Sequence, residues 1–304
     1  MSDLTNPELI RWLACPACEG DLADADRGLE CTRCGADYEI RQGIPLLYPR
    51  GMNTGHLQEE ENLAEMMTRR RLSSKEKFSS RQWDDSKQEF WRMVGTMLEP
   101  PPTLAINVGC GYDSGFVKLE QLGHTVVNFD MVYHMLDTLQ RDSGAKSCVA
   151  GDVNTLPFKK NAFDYVISID LIHHESEGLF TLLATFRDLL KPGGVLFLED
   201  PNAWGMFQMA KSIFLPRPAY RFMRSTYHWL KRSTHRPADY EFPTSVWRVK
   251  AMLKRLGFQD IRIHPNEAYP CIGEWGFRAY GALGKSEYVR KHHNYHYMLS
   301  ATRQ

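Results

Sequence analysis

Four cysteines near the start of the chain, Cys15, Cys18, Cys31 and Cys34, fall into two CxxC pairs separated by twelve residues. Two residues between thiols let one tight turn aim both sulfurs at a common centre, and two such turns supply four ligands. Four thiolates complete a tetrahedral zinc shell and leave no position for water or substrate, so a Zn2+ held here is expected to be structural. Gly35, directly after the last cysteine, permits the left-handed backbone that closes such a turn. A redox role for the two pairs is the competing reading. Cys110, Cys148 and Cys271 are scattered, which suits metal usage in a reducing compartment better than a disulfide framework.

A second group begins at "LAINVGCGYDSGF", where Gly109-Cys110-Gly111 follows an apolar strand and precedes a helix. Glycines at that junction let the backbone approach a ligand and leave helix N-terminal N–H groups directed at it. Asp130 ends the next apolar run, about 20 residues on, where a carboxylate can accept both ribose hydroxyls of a nucleoside. Further along, "SIDLIHH" presents Asp170, His173 and His174 after another strand. A histidine titrates near neutrality and can take a proton from a positioned hydroxyl, so His173 and His174 are the candidate bases; packing beneath an acceptor is the plainer role. "EDPN" adds Glu199, Asp200 and Asn202 at the next strand end as candidate acceptor contacts, where helix capping is the alternative.

These groups need a scaffold that gathers strand ends on one rim. "TLAINVG", "HTVVNFD", "FDYVISID" and "GGVLFLED" read as strands, and "FVKLEQLG" and "GLFTLLATFRDLLKPGG" as helices closed by Gly or Pro. Strand alternating with helix means a largely parallel sheet covered on both faces, with ligands at the carboxyl ends of its strands. "SVWRVKAMLKRLGFQDIRIHP" continues as helix then strand, and "GFRAYGALGK" reads as a final antiparallel strand. The divisions expected are a zinc-ribbon domain over 1–50, a helical linker or lid over 51–102, a catalytic domain over 103–285 with a cap insert at 204–245, and a tail over 286–304. In the linker, Phe78, Trp83, Phe90 and Trp91 could pack one helix face onto a neighbour, and Pro100-Pro101-Pro102 ends that helix.

"INVGCGYDSG", Asp130, "GDVNTLPFKKNAFDYVISIDLIHH" and "RDLLKPGGVLFLEDPN" resemble class I S-adenosylmethionine-dependent methyltransferases, near the group that includes ubiquinone-biosynthesis enzymes. The resemblance spans roughly 103–285. It implies an α/β, Rossmann-like fold with a seven-stranded sheet, and S-adenosylmethionine as cofactor. In that family Gly109, Cys110 and Gly111 would pass under the methionine part, and Asp130 would bind the ribose. Met131 would lie against adenine, Asp152 and Val153 would hold the adenine edge, and Ile169 would line the sulfonium side. Asn107 stands where the family usually has an acidic residue near the cofactor's amino group, and the third glycine is delayed to Gly115. The cysteine segment with its "GIPLLYP" exit resembles the small zinc-ribbon protein that activates several methyltransferases.

Over 304 residues, 37 Lys and Arg balance 37 Asp and Glu, so no overall field gathers nucleic acid. No apolar run of about 18 residues exists and the N-terminus does not read as a signal peptide, so a cytoplasmic protein is expected. Positive charge collects between Trp204 and Arg262, where twelve cations meet three acids among interleaved aromatics. That insert suits a substrate lid, a peripheral contact with anionic lipid, or RNA. The expected function is methyl transfer to a small-molecule, sugar or lipid-precursor acceptor, in-line and with a histidine base. The partner is then a small-molecule or lipid-linked acceptor. An RNA methyltransferase and a non-catalytic methyltransferase-like scaffold are the alternatives.

Overall fold

The computed structural model describes residues 6–26, 28–52, 57–58, 61–62, 78–175, 178–205, 243–266 and 286–304. Four short strands open it: β1 (Leu22–Ala25), β2 (Gly28–Cys31), β3 (Asp37–Arg41) and β4 (Ile44–Leu47). Helix α1 (Phe78–Met97) precedes the alternating part, which runs β5 (Leu104–Val108), α2 (Val117–Gln121), β6 (Thr125–Asp130), α3 (Tyr133–Ser143), β7 (Cys148–Gly151), β8 (Phe163–Ile169), α4 (Leu179–Leu189) and β9 (Leu190–Pro201). Helix α5 (Val246–Arg255), β10 (Phe258–His264), α6 (Glu287–His292) and β11 (His296–Arg303) complete it.

One sheet joins all of these strands in the order β1-β2-β3-β4-β7-β6-β5-β8-β9-β11-β10. The run from β4 through β7, β6, β5 and β8 to β9 is parallel, while β11 lies antiparallel between β9 and β10. Every residue of β5 is buried, as a central strand covered on both faces requires. Apolar side chains alternate between two cores. Ile106, Val108, Val166 and Leu198 face one side with α4 and α5; Ala105, Val126, Ile167 and Phe197 face the other with α1 and α3.

Helix α1 seats Phe90, Trp91 and Val94 on the second core, all fully buried. Trp91 donates its indole N–H to Asp113 Oδ2 at 2.7 Å, and Asp113 Oδ1 accepts the Gly115 N–H at 2.9 Å. A Cβ on Gly115 would lie 1.9 Å from Trp91 Cδ1, so the delayed third glycine is where the indole crosses the loop.

The sheet is longer than the expected seven strands because the cysteine segment does not stand apart. Its last strand, β4, pairs parallel with β7 through Leu46–Ala150 and Leu47–Gly151, and Leu9 and Leu13 enter the first core. Residues 286–304, read from sequence as a tail, hold α6 and β11, and β11 is an interior strand of the sheet. Its run "HYMLSATR" mixes polar with apolar residues and so hides a buried strand. The "GFRAYGALGK" strand lies outside the described residues, as does the cap insert beyond its ends.

Candidate functional site

The parallel order turns the carboxyl ends of β5, β6, β7, β8 and β9 toward one rim, and the residues singled out above sit along it. Gly109 and Gly111 follow β5 with φ of +72° and +51°, values an L side chain rarely adopts. A Cβ at Gly109 would also meet Leu171 at 3.0 to 3.1 Å. Asp130, at the end of β6, accepts the Gly111 N–H at 2.8 Å and the Val132 N–H at 2.9 Å. Its carboxylate therefore fixes the glycine loop. Burial and the Asp130 carboxylate raise the Cys110 thiol well above its ordinary value, which keeps it protonated.

Asn107 is 1 % exposed, and its Oδ1 has no hydrogen-bond partner among the described residues. An unsatisfied buried acceptor beneath the glycine loop suits a ligand's ammonium group. Met131 is half-buried and Val153 likewise. Asp152 Oδ1 is engaged by the Asn154 backbone and side-chain N–H groups, closing a turn. Ile169 is buried in the core beneath the rim. These positions fit S-adenosylmethionine: positive-φ glycines, a carboxylate after the second strand of the parallel run, and an orphaned acceptor near the loop.

Beyond β8, His173 and Asp200 meet, with Nδ1 and Oδ1 2.9 Å apart. Asp200 is 0 % exposed; its other oxygen accepts the Thr244 hydroxyl at 2.9 Å, and Thr244 lies 2.6 Å from the Tyr297 hydroxyl. Burial raises the Asp200 carboxyl and His173 pulls it back down. His174 is exposed and its ring lies against His173, centroids 4.1 Å apart. The structure thus gives His173 a buried carboxylate partner. Asn202 is fully buried, donating to the His292 carbonyl and accepting from Trp204 N–H, so it holds a turn instead of facing an acceptor.

Because successive strand residues face opposite sides, Glu199 points away from Asp200, toward the α1 face. There it meets His296 Nδ1 at 3.0 Å, with Asp170 Oδ1 3.6 Å from the same nitrogen. Lys87 of α1 closes the group, 3.3 Å from Asp170 Oδ2. Asp170 is a non-glycine residue with φ of +54°, a strained backbone at a strand end. Burial opposes its ionisation, but His296 and Lys87 outweigh burial and hold its carboxyl below the ordinary value. Burial raises Glu199 instead. His296 would be lowered by burial, yet Asp170 and Glu199 raise it overall. Neither Lys87 nor His296 was singled out from sequence: one sits in a charged helix and the other in an apparent tail.

At the other end of the sheet, the four cysteine sulfurs lie within 4.8 Å of one another, with Cys15–Cys34 at 3.8 Å and Cys18–Cys31 at 3.5 Å. A tetrahedral metal with bonds of about 2.3 Å has ligand separations of about 3.8 Å, so the donor set fits zinc. Gly20 keeps the centre open, since a Cβ there would come within 3.0 Å of Cys31 Sγ and 3.2 Å of Cys18 Sγ. Backbone N–H groups of Cys34 and Arg33 hold the Cys31 thiol down at about 6, while burial and the neighbouring sulfurs push Cys18 up to about 12.

A parallel sheet with a glycine loop, a carboxylate after the second strand and an acid–base pair at the rim defines a Rossmann-like nucleotide-cofactor enzyme. Comparison with known proteins narrows that class. The model of a methyltransferase domain family matches residues 106–198. Demethylmenaquinone methyltransferase of Staphylococcus saprophyticus is 30% identical over 189 residues, covering 57% of this chain and 77% of that protein. The enzyme of the same name from Bacillus licheniformis is 27% identical over 191 residues, covering 58% and 79%. Among solved structures, a SAM-dependent methyltransferase of Thermotoga maritima shares the fold, with a TM-score of 0.54, 12% identity, and coverage of 83% of this chain and all of that one. The chain belongs to the S-adenosylmethionine-dependent methyltransferases.

Proposed function

We propose that this methyltransferase acts on a small-molecule, sugar or lipid-precursor acceptor that must lose a proton, with His173 as the base. The observation that carries this reading is the His173–Asp200 pair, 2.9 Å apart and buried at the rim. S-adenosylmethionine, when bound, supplies an electrophilic methyl group, so the protein's task is to align the acceptor and manage its proton. Gly109, Gly111, Asn107 and Asp130 would hold the cofactor, with Met131, Asp152 and Val153 at its adenine end.

Asp200 accepts from Nδ1 and thereby fixes the tautomer in which Nε2 carries the lone pair. Nε2 takes the acceptor's proton, and the buried Asp200 carboxylate stabilises the imidazolium that forms. Thr244 holds Asp200 in place through the second oxygen. Demethylmenaquinone, the acceptor in the name of two relatives, heads the compounds to be tried. The four cysteines hold Zn2+ in a closed shell and contribute structure, not chemistry.

Calorimetry with S-adenosylhomocysteine tests the cofactor site. Asp130→Ala is expected to abolish detectable binding; a variant that binds as the parent does would overturn the placement. Transfer of labelled methyl to an acceptor panel then tests the substrate class, and retention of total RNA in place of small acceptors would favour an RNA substrate.

A further inference from the structure

The cysteine segment is joined to the proposed cofactor site by more than a shared sheet. Strand β4 leaves the segment and runs beside β7, so its end arrives at the same rim as the end of β6. This approach needs Gly151: a Cβ there would lie 2.9 Å from the Leu47 carbonyl oxygen and 3.0 Å from Phe129. One residue past β4, Tyr48 donates its hydroxyl to the Met131 carbonyl at 2.8 Å. Met131 is the centre of the turn that Asp130 holds through the Val132 N–H.

Two further contacts tie the β3–β4 hairpin to the helix that follows this turn. The Arg41 guanidinium lies over the Tyr133 ring, 5.0 Å from its centroid, and Gln140 donates to the Gln42 carbonyl at 3.1 Å. A cavity of about 360 Å³ lies between, lined in part by Tyr38, Arg41, Tyr48, Glu61 and Tyr133. Tyr38, at its inner end, sits with its hydroxyl 3.1 Å from Cys15 Sγ. Burial, together with the Glu61 and Asp130 carboxylates, raises the Tyr48 hydroxyl above its ordinary value, so it stays protonated and donates.

We propose that Tyr48 is a positioning residue for cofactor binding, fixing the Asp130–Met131 turn from the cysteine segment, so that metal ligation at the four cysteines and cofactor affinity are coupled. The inference rests on the reading that S-adenosylmethionine binds at Asp130. Physically, the hairpin reaches β7 only when its own fold is set, and a domain this small takes that fold from its metal. A turn held by Asp130 alone can rock about one point; the hydroxyl of Tyr48 supplies the second point and removes that freedom before the ligand arrives.

The experiment is calorimetry with S-adenosylhomocysteine on the full chain, alongside ligand-free melting temperature and zinc content. Tyr48→Phe keeps the ring and deletes the donor; it should weaken binding about three- to tenfold, with zinc content unchanged and the ligand-free melting temperature lowered by no more than about 2 °C. Cys34→Ser, at the exposed ligand, should lower zinc content and cofactor affinity together. If the parent binds and Tyr48→Phe binds equally, or if its affinity falls only in step with its melting temperature, the positioning role is overturned while the cofactor site stands. If Cys34→Ser loses zinc and keeps full affinity, the coupling is overturned. If the parent itself does not bind, the cofactor reading fails and takes the inference with it.

Discussion

Gly115→Ala adds one methyl group at the place where Trp91 crosses the glycine loop. The new Cβ would lie 1.9, 2.0 and 2.4 Å from three indole atoms, and separating them to ordinary contact takes about 1.5 Å. The indole cannot swing aside cheaply: it is 1 % exposed, bonded to Asp113 at 2.7 Å and edge-on to Phe90. Overpacking of a filled core costs about 1–3 kcal/mol. Losing the bond to the Asp113 carboxylate adds about 1.5–3 kcal/mol, for about 2.5–6 kcal/mol in all. An unfolding entropy of about 2.1 cal/mol/K per residue converts this into a fall of about 4–9 °C in Tm. Calorimetric melts of the parent, Gly115→Ala, Trp91→Ala and the double variant form a cycle. Trp91→Ala alone is costly, by about 3–5 kcal/mol. In its background, Gly115→Ala should be neutral or stabilising by about 0.4–1 kcal/mol, because the clash is gone and the unfolded chain loses freedom. An equal cost in both backgrounds would refute the claim that the indole is what requires glycine.

Asp200→Asn and His173→Gln should each slow methyl transfer about 10²–10⁴-fold, the usual share of a general base, with S-adenosylhomocysteine affinity kept; unchanged turnover would remove His173 from the proton path. His296 meets Glu199 and Asp170, the latter paired with Lys87, and the field of these carboxylates with that of Asp200 places its folded pKa above the ordinary 6.5. Its stabilisation is therefore full below pH 6.5 and lost as pH rises through the raised value, so the Tm gap between the parent and His296→Gln should shrink as pH is raised above 6.5; a gap constant with pH would contradict the charge cluster. Cys18→Ser should cut bound zinc, measured by elemental analysis, and lower Tm, since Leu9 and Leu13 of the same segment are buried in the main core; full stability without zinc would deny the metal a structural role.

The cysteine cluster and the glycine loop were legible in sequence because their geometry is local. Two CxxC turns each set two sulfurs through a handful of backbone angles, and "VGCG" sits where one strand passes into one helix. Asp130 was legible for a related reason: a strand and a short helix separate it from the loop, and their lengths fix its distance. The His173–Asp200 pair was half legible. Both residues drew attention, but their meeting depends on β8 and β9 being neighbours, which no spacing of 27 residues encodes.

Lys87, Tyr48 and His296 were illegible as site residues because each comes from a distant element and has an ordinary surrounding. Lys87 looks like one charge on a charged helix until α1 lies on the sheet and brings it to Asp170. His296 looks like part of a tail until β11 enters between β9 and β10. Even the sense of Glu199 and Asp200 was decided by tertiary structure: they are adjacent in sequence, yet the pleat sends them to opposite faces and different histidines.

The sequence by itself determined the groupings that depend on neighbours along the chain: four thiols in two tight turns, glycines where a strand passes into a helix, a carboxylate at the end of the next strand. Only the folded sheet decided which charges share a buried space, because long-range pairing is set by strand order and by which side of each strand faces which helix. It also decided what the opening cysteines are joined to. Their strand extends the sheet to the turn after Asp130, a contact across 83 residues that one hydroxyl makes.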